Sequence, residues 1–153
     1  MQKLFEEYLK IFETCHADIA KIIDDLTPAA LDWAPGPETN SISVLIFHLT
    51  GSERFWIGDV AVQEPSHRDR DAEFRVRNVP VADLKRRLTD NLSYIRTALA
   101  GLSFEATAES HTLPDGRTYT VAYALLHAMD HAAQHLGHIQ ITAQLWKQAN
   151  SAR

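Results

Sequence analysis

The sequence has few of the residues that cross-link chains, span membranes or bind nucleic acids. Among its 153 residues there is one cysteine, Cys15, which excludes an internal disulfide. No apolar run is long enough to span a bilayer, and charges are spread through the N-terminal segment. We therefore expect neither a membrane protein nor a secreted one, and a cytoplasmic location.

Basic residues are also scarce, with 15 Lys and Arg against 20 Asp and Glu and a formal charge of −5. Binding to phosphate backbones needs clustered basic side chains, and only Lys85, Arg86 and Arg87 form such a run. On a helix a run of this length is ordinary solvated surface. The composition therefore argues against a nucleic-acid partner.

Glycine and proline are few, at six each, and the prolines mark the breaks between long uninterrupted stretches. A chain of this length can bury roughly 70% of the surface that its unfolded form exposes, so its core needs no disulfide or structural metal. We expect one domain over residues 1–153. Any bound metal would then serve function.

Apolar residues recur at intervals of three and four along four stretches, which predicts four amphipathic helices. These are Gln2–Asp25, Ser41–Val62 with Asn40 as an alternative cap, Pro80–Gly101 and Thr120–Lys147. Thr27 and Pro28 also predict a short capped turn of helix that ends near Trp33. Four such helices without a convincing strand of any length predict an all-α four-helix bundle.

Two long connections separate these helices. The polar segment 63–78 has no periodicity, which predicts a loop that could serve as a lid or border of a site. In the connection 103–119, Pro114, Asp115 and Gly116 predict a turn joining short extended pieces around His111 and Thr118. Connections of this length imply that some neighbouring helices are not simple up-down hairpins.

Histidines occupy successive core positions of the last predicted helix. A helix advances about 100° per residue, so four of them project within about 80° of one another. They are His127, His131, His135 and His138. Unsatisfied polar groups in a core cost roughly 1–3 kcal/mol each, so several together indicate a shared partner. A divalent metal ion is such a partner.

The spacing of His131 and His135 places two imidazoles on adjacent turns, where both can reach one ion. His48, midway along the second predicted helix, is the best candidate for a third ligand. Three protein ligands would leave coordination positions open, as in catalytic metal sites. Ala132 follows His131 where helical zinc proteases have a glutamate, so we exclude a metalloprotease.

Each of these residues also has a structural alternative. A single histidine such as His48 is more often structural than a ligand, and His127 and His138 are more readily neighbours of a site, or residues at its mouth, than ligands. His16, His67 and His111 are expected to be ordinary surface or loop residues. Cys15 is expected to be buried and inert, and Trp33, Trp56 and Trp146 to be core anchors.

Three segments resemble the DinB/YfiT-like family of metal-dependent proteins, and the resemblance covers nearly the whole chain. The segments are WAPGP from Trp33, SISVLIFHL followed by ERFW over residues 41–56, and HAMDHAAQHLG over residues 127–137. The resemblance implies a bundle with up-down-down-up topology and a homodimer. It also implies a divalent ion, zinc or nickel, held by His48, His131 and His135. His138 stands where relatives often have glutamine, so it would add a ligand or replace an amide beside the ligands.

Relatives with a known activity include S-transferases and isomerases that use bacillithiol, mycothiol or glutathione. The resemblance therefore implies an enzyme whose ion activates a low-molecular-weight thiol for attack on a small electrophile. Glu53 and His138 are candidates for proton transfer. Arg54, Arg75, Arg77 and Arg117 are candidates for contacts to an anionic thiol.

Three alternatives stay open at this stage. Water could replace the thiol, which would make the protein a metal-dependent hydrolase. The protein could instead be a non-enzymatic metal-binding or interaction protein induced by stress. Finally, the histidines could pair with one another or with carboxylates such as Asp130 and bind nothing.

Overall fold

The computed structural model describes residues 1–150. Its long helices are α1 (Lys3–Asp24), α3 (Ile42–Glu53), α5 (Val81–Gly101) and α6 (Val121–Asn150). The shorter helices are α2 (Pro28–Asp32) and α4 (Arg70–Glu73), and a 3₁₀ turn covers Glu105–Ala108. β1 (Ser110–Thr112) and β2 (Thr118–Thr120) form an antiparallel hairpin. The four long helices pack into a bundle.

Contacts between the long helices give their relative directions. Between α1 and α6, Tyr8 contacts Leu125 and Cys15 contacts Ala132, and between α3 and α5, Thr50 contacts Arg87 and Glu53 contacts Asn91. Between α1 and α5, Glu13 contacts Arg96 and Asp24 contacts Lys85. Between α3 with its continuation and α6, His48 contacts His135 and Trp56 contacts His127. Residue numbers rise together in the first two sets, so those helices are parallel. In the other two sets one number rises as the other falls. The bundle is therefore up-down-down-up, which confirms the fold class.

Helix starts follow the local chemistry that the sequence predicts. The Thr27 side chain accepts a hydrogen bond from the Ala30 amide, and Pro28 stands at the first position of α2. Ser41 caps α3 by accepting from the Val44 amide. The predicted turn at 114–116 also forms, where Gly116 has a positive φ and links the two strands. No helix within residues 1–150 is long and apolar enough to cross a membrane.

The second long helix departs from the prediction after Glu53. Its continuation, Arg54–Val62, is a π-helix, which ends at Gln63 in a left-handed conformation. The wider turn shifts the register of this half, so Trp56 is only half-buried and packs on the ring of Tyr119. The segment 63–78 is not wholly irregular either, because it contains α4.

The buried face of α1 is rotated from the stripe that the spacing of apolar residues predicts, which includes Leu4 and Ile11. Leu4 and Ile11 are 54% and 48% exposed, whereas Phe5 and Phe12 are almost fully buried. His16 lies on this rotated face and is 2% exposed, so the expectation of a surface histidine was wrong. Its burial is possible because a charged partner reaches it from α3.

That partner is Glu53, which is completely buried. Nδ1 of His16 lies 3.2 Å from the Leu88 carbonyl, and Nε2 lies 3.0 Å from both oxygens of Glu53. Asn91 of α5 donates to the same carboxylate. Since both ring nitrogens of His16 face acceptors, the arrangement stabilises an imidazolium paired with a carboxylate. Burial alone would lower the pKa of His16, but Glu53 and Leu88 raise it above its usual value.

Candidate metal centre

The structure brings together three of the histidines singled out from the sequence. His48 comes from the middle of α3, and His131 and His135 come from successive turns of α6. One ring nitrogen from each of the three lies within 4.8 Å of the others. All three side chains are half-buried at the contact between the antiparallel helices. The bundle therefore places the predicted donor set at one point.

The nitrogen positions fit one shared ion. Nε2 of His131 lies 3.1 Å from Nε2 of His135, and at metal–nitrogen distances of 2.0–2.1 Å this separation subtends about 100° at an ion. The Nδ1 atoms of both rings are buried and have no partner among residues 1–150. Asp130 does not satisfy them, since it accepts a hydrogen bond from Gln134. The two Nε2 atoms face each other across the distance at which one metal ion between them would coordinate both.

The electrostatics keep these rings neutral. Burial, together with the neighbouring His135 and His48, lowers the pKa of His131 to about 3. Burial lowers the pKa of His135 to about 4, again with a contribution from His48. A histidine must be unprotonated to bind a metal ion. Both rings are therefore in the ligand form at neutral pH without any loss of a proton on binding.

His48 is oriented by a carboxylate from α4. Its Nδ1 donates to Oε2 of Glu73 over 3.0 Å, which leaves Nε2 free as a metal ligand. Arg68 holds Glu73 from the other side with two hydrogen bonds of 2.6 and 2.8 Å. Burial alone would raise the pKa of Glu73, but Arg68 and His48 lower it, so the group is an anion. A carboxylate in this position fixes the tautomer of a ligating histidine and increases its basicity.

Gly51 makes this contact possible. It lies one turn after His48 on α3, and a Cβ atom at this position would come within 1.9 Å of Oε1 of Glu73. Only glycine allows the carboxylate to approach the helix backbone so closely. The segment 63–78 thus borders the site, as expected from its length, through Arg68 and Glu73. The identity of these two residues was not predicted, because nothing in an aperiodic polar segment specifies which side chain points inward. The one available signal of a close contact here was a glycine inside a helix, one turn after His48.

A row of aromatic rings extends from the cluster toward the hairpin. The ring of His127 lies 6.0 Å from that of His131 and 4.3 Å from that of Trp56. Tyr123 stacks on the other side of His127 at 5.7 Å and is 47% exposed. His127 is therefore a neighbour of the cluster and not a member of it, in agreement with the structural alternative.

The candidate proton-transfer residues lie in different places. His138 is exposed, and its ring lies 5.5 Å from that of His135, so it stands beside the cluster. Glu53 is enclosed in the core with His16 and Asn91, facing away from solvent. The structure therefore gives Glu53 no route to a substrate, and its role is to pair with His16.

The four candidate arginines are not gathered at the cluster. Arg75 and Arg77 are exposed, and Arg77 donates to the carbonyl of Val76. Arg117 forms an ion pair with Asp115 in the hairpin turn. Arg54 is half-buried and lies over the ring of Tyr94.

His111 bonds through Nδ1 to the carbonyl of Val60 and holds the hairpin against the π-helix.

The fold and the histidine cluster together define a DinB-like four-helix-bundle protein with a candidate metal site. The bundle superposes on a conserved protein from Enterococcus faecalis with a TM-score of 0.75 at 15% identity, covering 95% of this chain and 98% of that one. YfiT from Bacillus subtilis gives 0.72 at 15% identity, covering 95% and 90%. A DinB-like protein from Bacillus cereus gives 0.72 at 12% identity, covering 92% and 91%.

At these identities the superpositions establish the fold alone. YfiT is described as a probable metal-dependent hydrolase with an unusual four-helix bundle topology. The family assignment comes from the sequence, because residues 8–147 match the model of the mycothiol-S-transferase family. The chain belongs to that family. No curated protein matches it.

Proposed function

We propose that this protein binds one divalent metal ion through His48, His131 and His135 and transfers a low-molecular-weight thiol to an electrophile. The observation that carries the proposal is the meeting of one ring nitrogen from each of three half-buried imidazoles within 4.8 Å, with the Nε2 atoms of His131 and His135 3.1 Å apart. Membership of the mycothiol-S-transferase family supports a thiol as the activated group. Zinc and nickel are the ions we expect, since both bind imidazole.

The ion, when bound, would supply a positive charge that lowers the pKa of a thiol or water among its ligands. The chain's own residues would do the rest. Glu73 holds the Nδ1 proton of His48, so Nε2 of that ring stays directed at the site. We assign to His138, which is exposed beside His135, the exchange of a proton with solvent or with a leaving group.

A hydrolase is the second candidate function, supported by the description of YfiT as a probable metal-dependent hydrolase. The two activities differ in their nucleophile and not in the metal site. Neutral histidine ligands leave the charge of the ion uncompensated, which favours either a thiolate or a hydroxide. The dependence of turnover on added thiol separates them.

The test is conjugation of a fluorogenic electrophile such as monochlorobimane by zinc- or nickel-loaded protein. Mycothiol, bacillithiol and glutathione are supplied separately, and a parallel assay supplies an ester with no thiol. We expect thiol-dependent turnover that disappears in His131→Ala and persists in His67→Ala, a matched variant of an exposed loop histidine. Turnover of the ester alone would favour the hydrolase. Equal rates for His131→Ala and wild type would contradict both.

The homodimer and the cytoplasmic location remain predictions of the resemblance and of the composition. Sedimentation velocity of the untagged protein tests the first, with a mass of two chains as the expected result. Fractionation of cells that express the protein tests the second.

A further inference from the structure

Two guanidinium groups outside the histidine cluster lie flat on aromatic rings. Cζ of Arg54 is 3.4 Å from the centre of the Tyr94 ring, and Cζ of Arg87 is 4.1 Å from the centre of the Phe47 ring. A guanidinium stacked in this way keeps a fixed orientation and presents its N–H groups at its edge. Both side chains are half-buried between α3 and α5.

Neither Arg54 nor Arg87 forms an ion pair with a carboxylate of residues 1–150. Arg87 donates from Nε to the hydroxyl of Thr50 and from Nη2 to the carbonyl of Phe47, while its Nη1 has no acceptor in this part of the chain. Burial lowers the pKa of Arg87, although the more distant Glu73 and Glu53 act in the opposite direction. An unpaired charge held away from water is costly.

Both groups line the same two adjoining cavities, of about 530 and 380 Å³, which also share Phe47. Most other charges in the walls are already paired. Asp83 binds Arg86, and Glu73 binds Arg68. Asp69 and Asp90 form no ion pair within residues 1–150, but both are exposed to water, whereas Arg54 and Arg87 are half-buried. The unpaired charges that are partly shielded from water in this space are therefore the two guanidiniums.

We propose that Arg54 and Arg87 form a binding site for a small anion that carries a carboxylate or phosphate group. A planar guanidinium edge can donate two parallel hydrogen bonds to either group. The site is separate from the histidine cluster, since the Arg68–Glu73 pair lies between His48 and the second cavity. It stands whether or not the proposed metal-dependent activity does.

The test is titration of ¹⁵N-labelled protein with sodium phosphate and, separately, sodium acetate, against sodium chloride at the same ionic strength. The Nε–Hε resonances of the arginines report binding directly. We expect saturable shifts at Arg54 and Arg87, in both wild type and His131→Ala. Because hydrogen bonds to charged groups are stronger than those between neutral groups, Arg54→Gln and Arg87→Gln should each weaken binding by about tenfold or more.

Arg86→Gln is the matched control, because Arg86 lines the same cavity but is paired with Asp83. The affinity of this variant for the anion should remain close to that of the wild type. Asp90→Asn should bind the anion more tightly. Within residues 1–150 the Arg54 side chain forms no hydrogen bond or ion pair and stacks on the Tyr94 ring, so Arg54→Gln keeps the test valid even if Arg87→Gln fails to fold. Absence of saturable shifts, equal weakening in Arg86→Gln, or loss of binding in His131→Ala would each overturn the proposal.

Discussion

His16 and His131 are both enclosed within the same bundle, but their surroundings shift the pKa in opposite directions. His16 has a carboxylate, Glu53, at 3.0 Å, and its pKa is raised. His131 has two other histidines as its nearest polar neighbours, and burial with these neighbours lowers its pKa to about 3. The first arrangement stabilises a charged ring that holds helices together. The second leaves a neutral ring available to an ion.

This difference shows that burial of a histidine does not by itself indicate a metal ligand. The neighbours decide, since a carboxylate at Nε2 occupies the nitrogen that a metal would need. His48 combines the two cases. Its Nδ1 donates a hydrogen bond to Glu73, and its Nε2 remains available on the side of the other two histidines. Substitutions in one of these two groups test the difference, because the other group serves as the reference.

Removal of Glu53 should have the largest effect. Glu53→Ala leaves the buried His16 without its counter-charge, so the free energy of unfolding should fall by about 3–5 kcal/mol in urea denaturation. His16→Ala in the same background should then cost much less than it does alone, because the interaction is already lost. A loss below about 1 kcal/mol for Glu53→Ala would show that the pair does not hold a charge.

Gly51→Ala should disturb the histidine cluster specifically. The added methyl group would displace Glu73, and loss of such a partner typically weakens metal binding about 10- to 100-fold. Competition with a chromogenic chelator measures the affinity. Gly137→Ala is the matched control, since a Cβ atom there meets nothing within 4 Å and alanine favours a helix. Equal affinities for the two variants would mean that Glu73 does not support His48.

Stability of the metal-free protein should depend on pH with opposite signs in the two groups. Folding depresses the pKa of His131 and His135 from 6.5, so their contribution is lost as pH falls below 6.5. Folding raises the pKa of His16, so its contribution is present below 6.5 and is lost as pH rises through the raised value. Denaturation between pH 4.5 and 9 should show the acid slope reduced in His131→Gln and the alkaline slope reduced in His16→Gln. Unchanged slopes in both variants would contradict these assignments.

The sequence predicts the architecture well because periodicity and capping are local properties. The four long helices, the α2 turn at Pro28 and the hairpin at Gly116 all form where these signals indicate. The π-helix after Glu53 was not predicted, since its wider turn is set by packing and has no short-range pattern of its own.

The site is only partly predictable for a related reason. Helical spacing makes His131 and His135 stand out in the sequence, because it aligns them on one face of α6. The fold then brings His48 to the same point. Arg68 and Glu73 come from a segment whose side-chain directions depend on tertiary contacts. His16, Glu53 and Asn91 each interrupt an apolar face, and three polar interruptions on facing helices were the signal for a buried network.

Metal content of the purified protein tests the central claim most directly. Untagged protein, prepared without chelator and reconstituted with zinc or nickel, should carry about one ion per chain by elemental analysis. His131→Ala and His48→Ala should both lose the ion, while His16→Gln and His67→Ala should retain it. Background metal in the wild type after reconstitution, or an unchanged content in His131→Ala and His48→Ala, would contradict the assignment of the histidine cluster as a metal site.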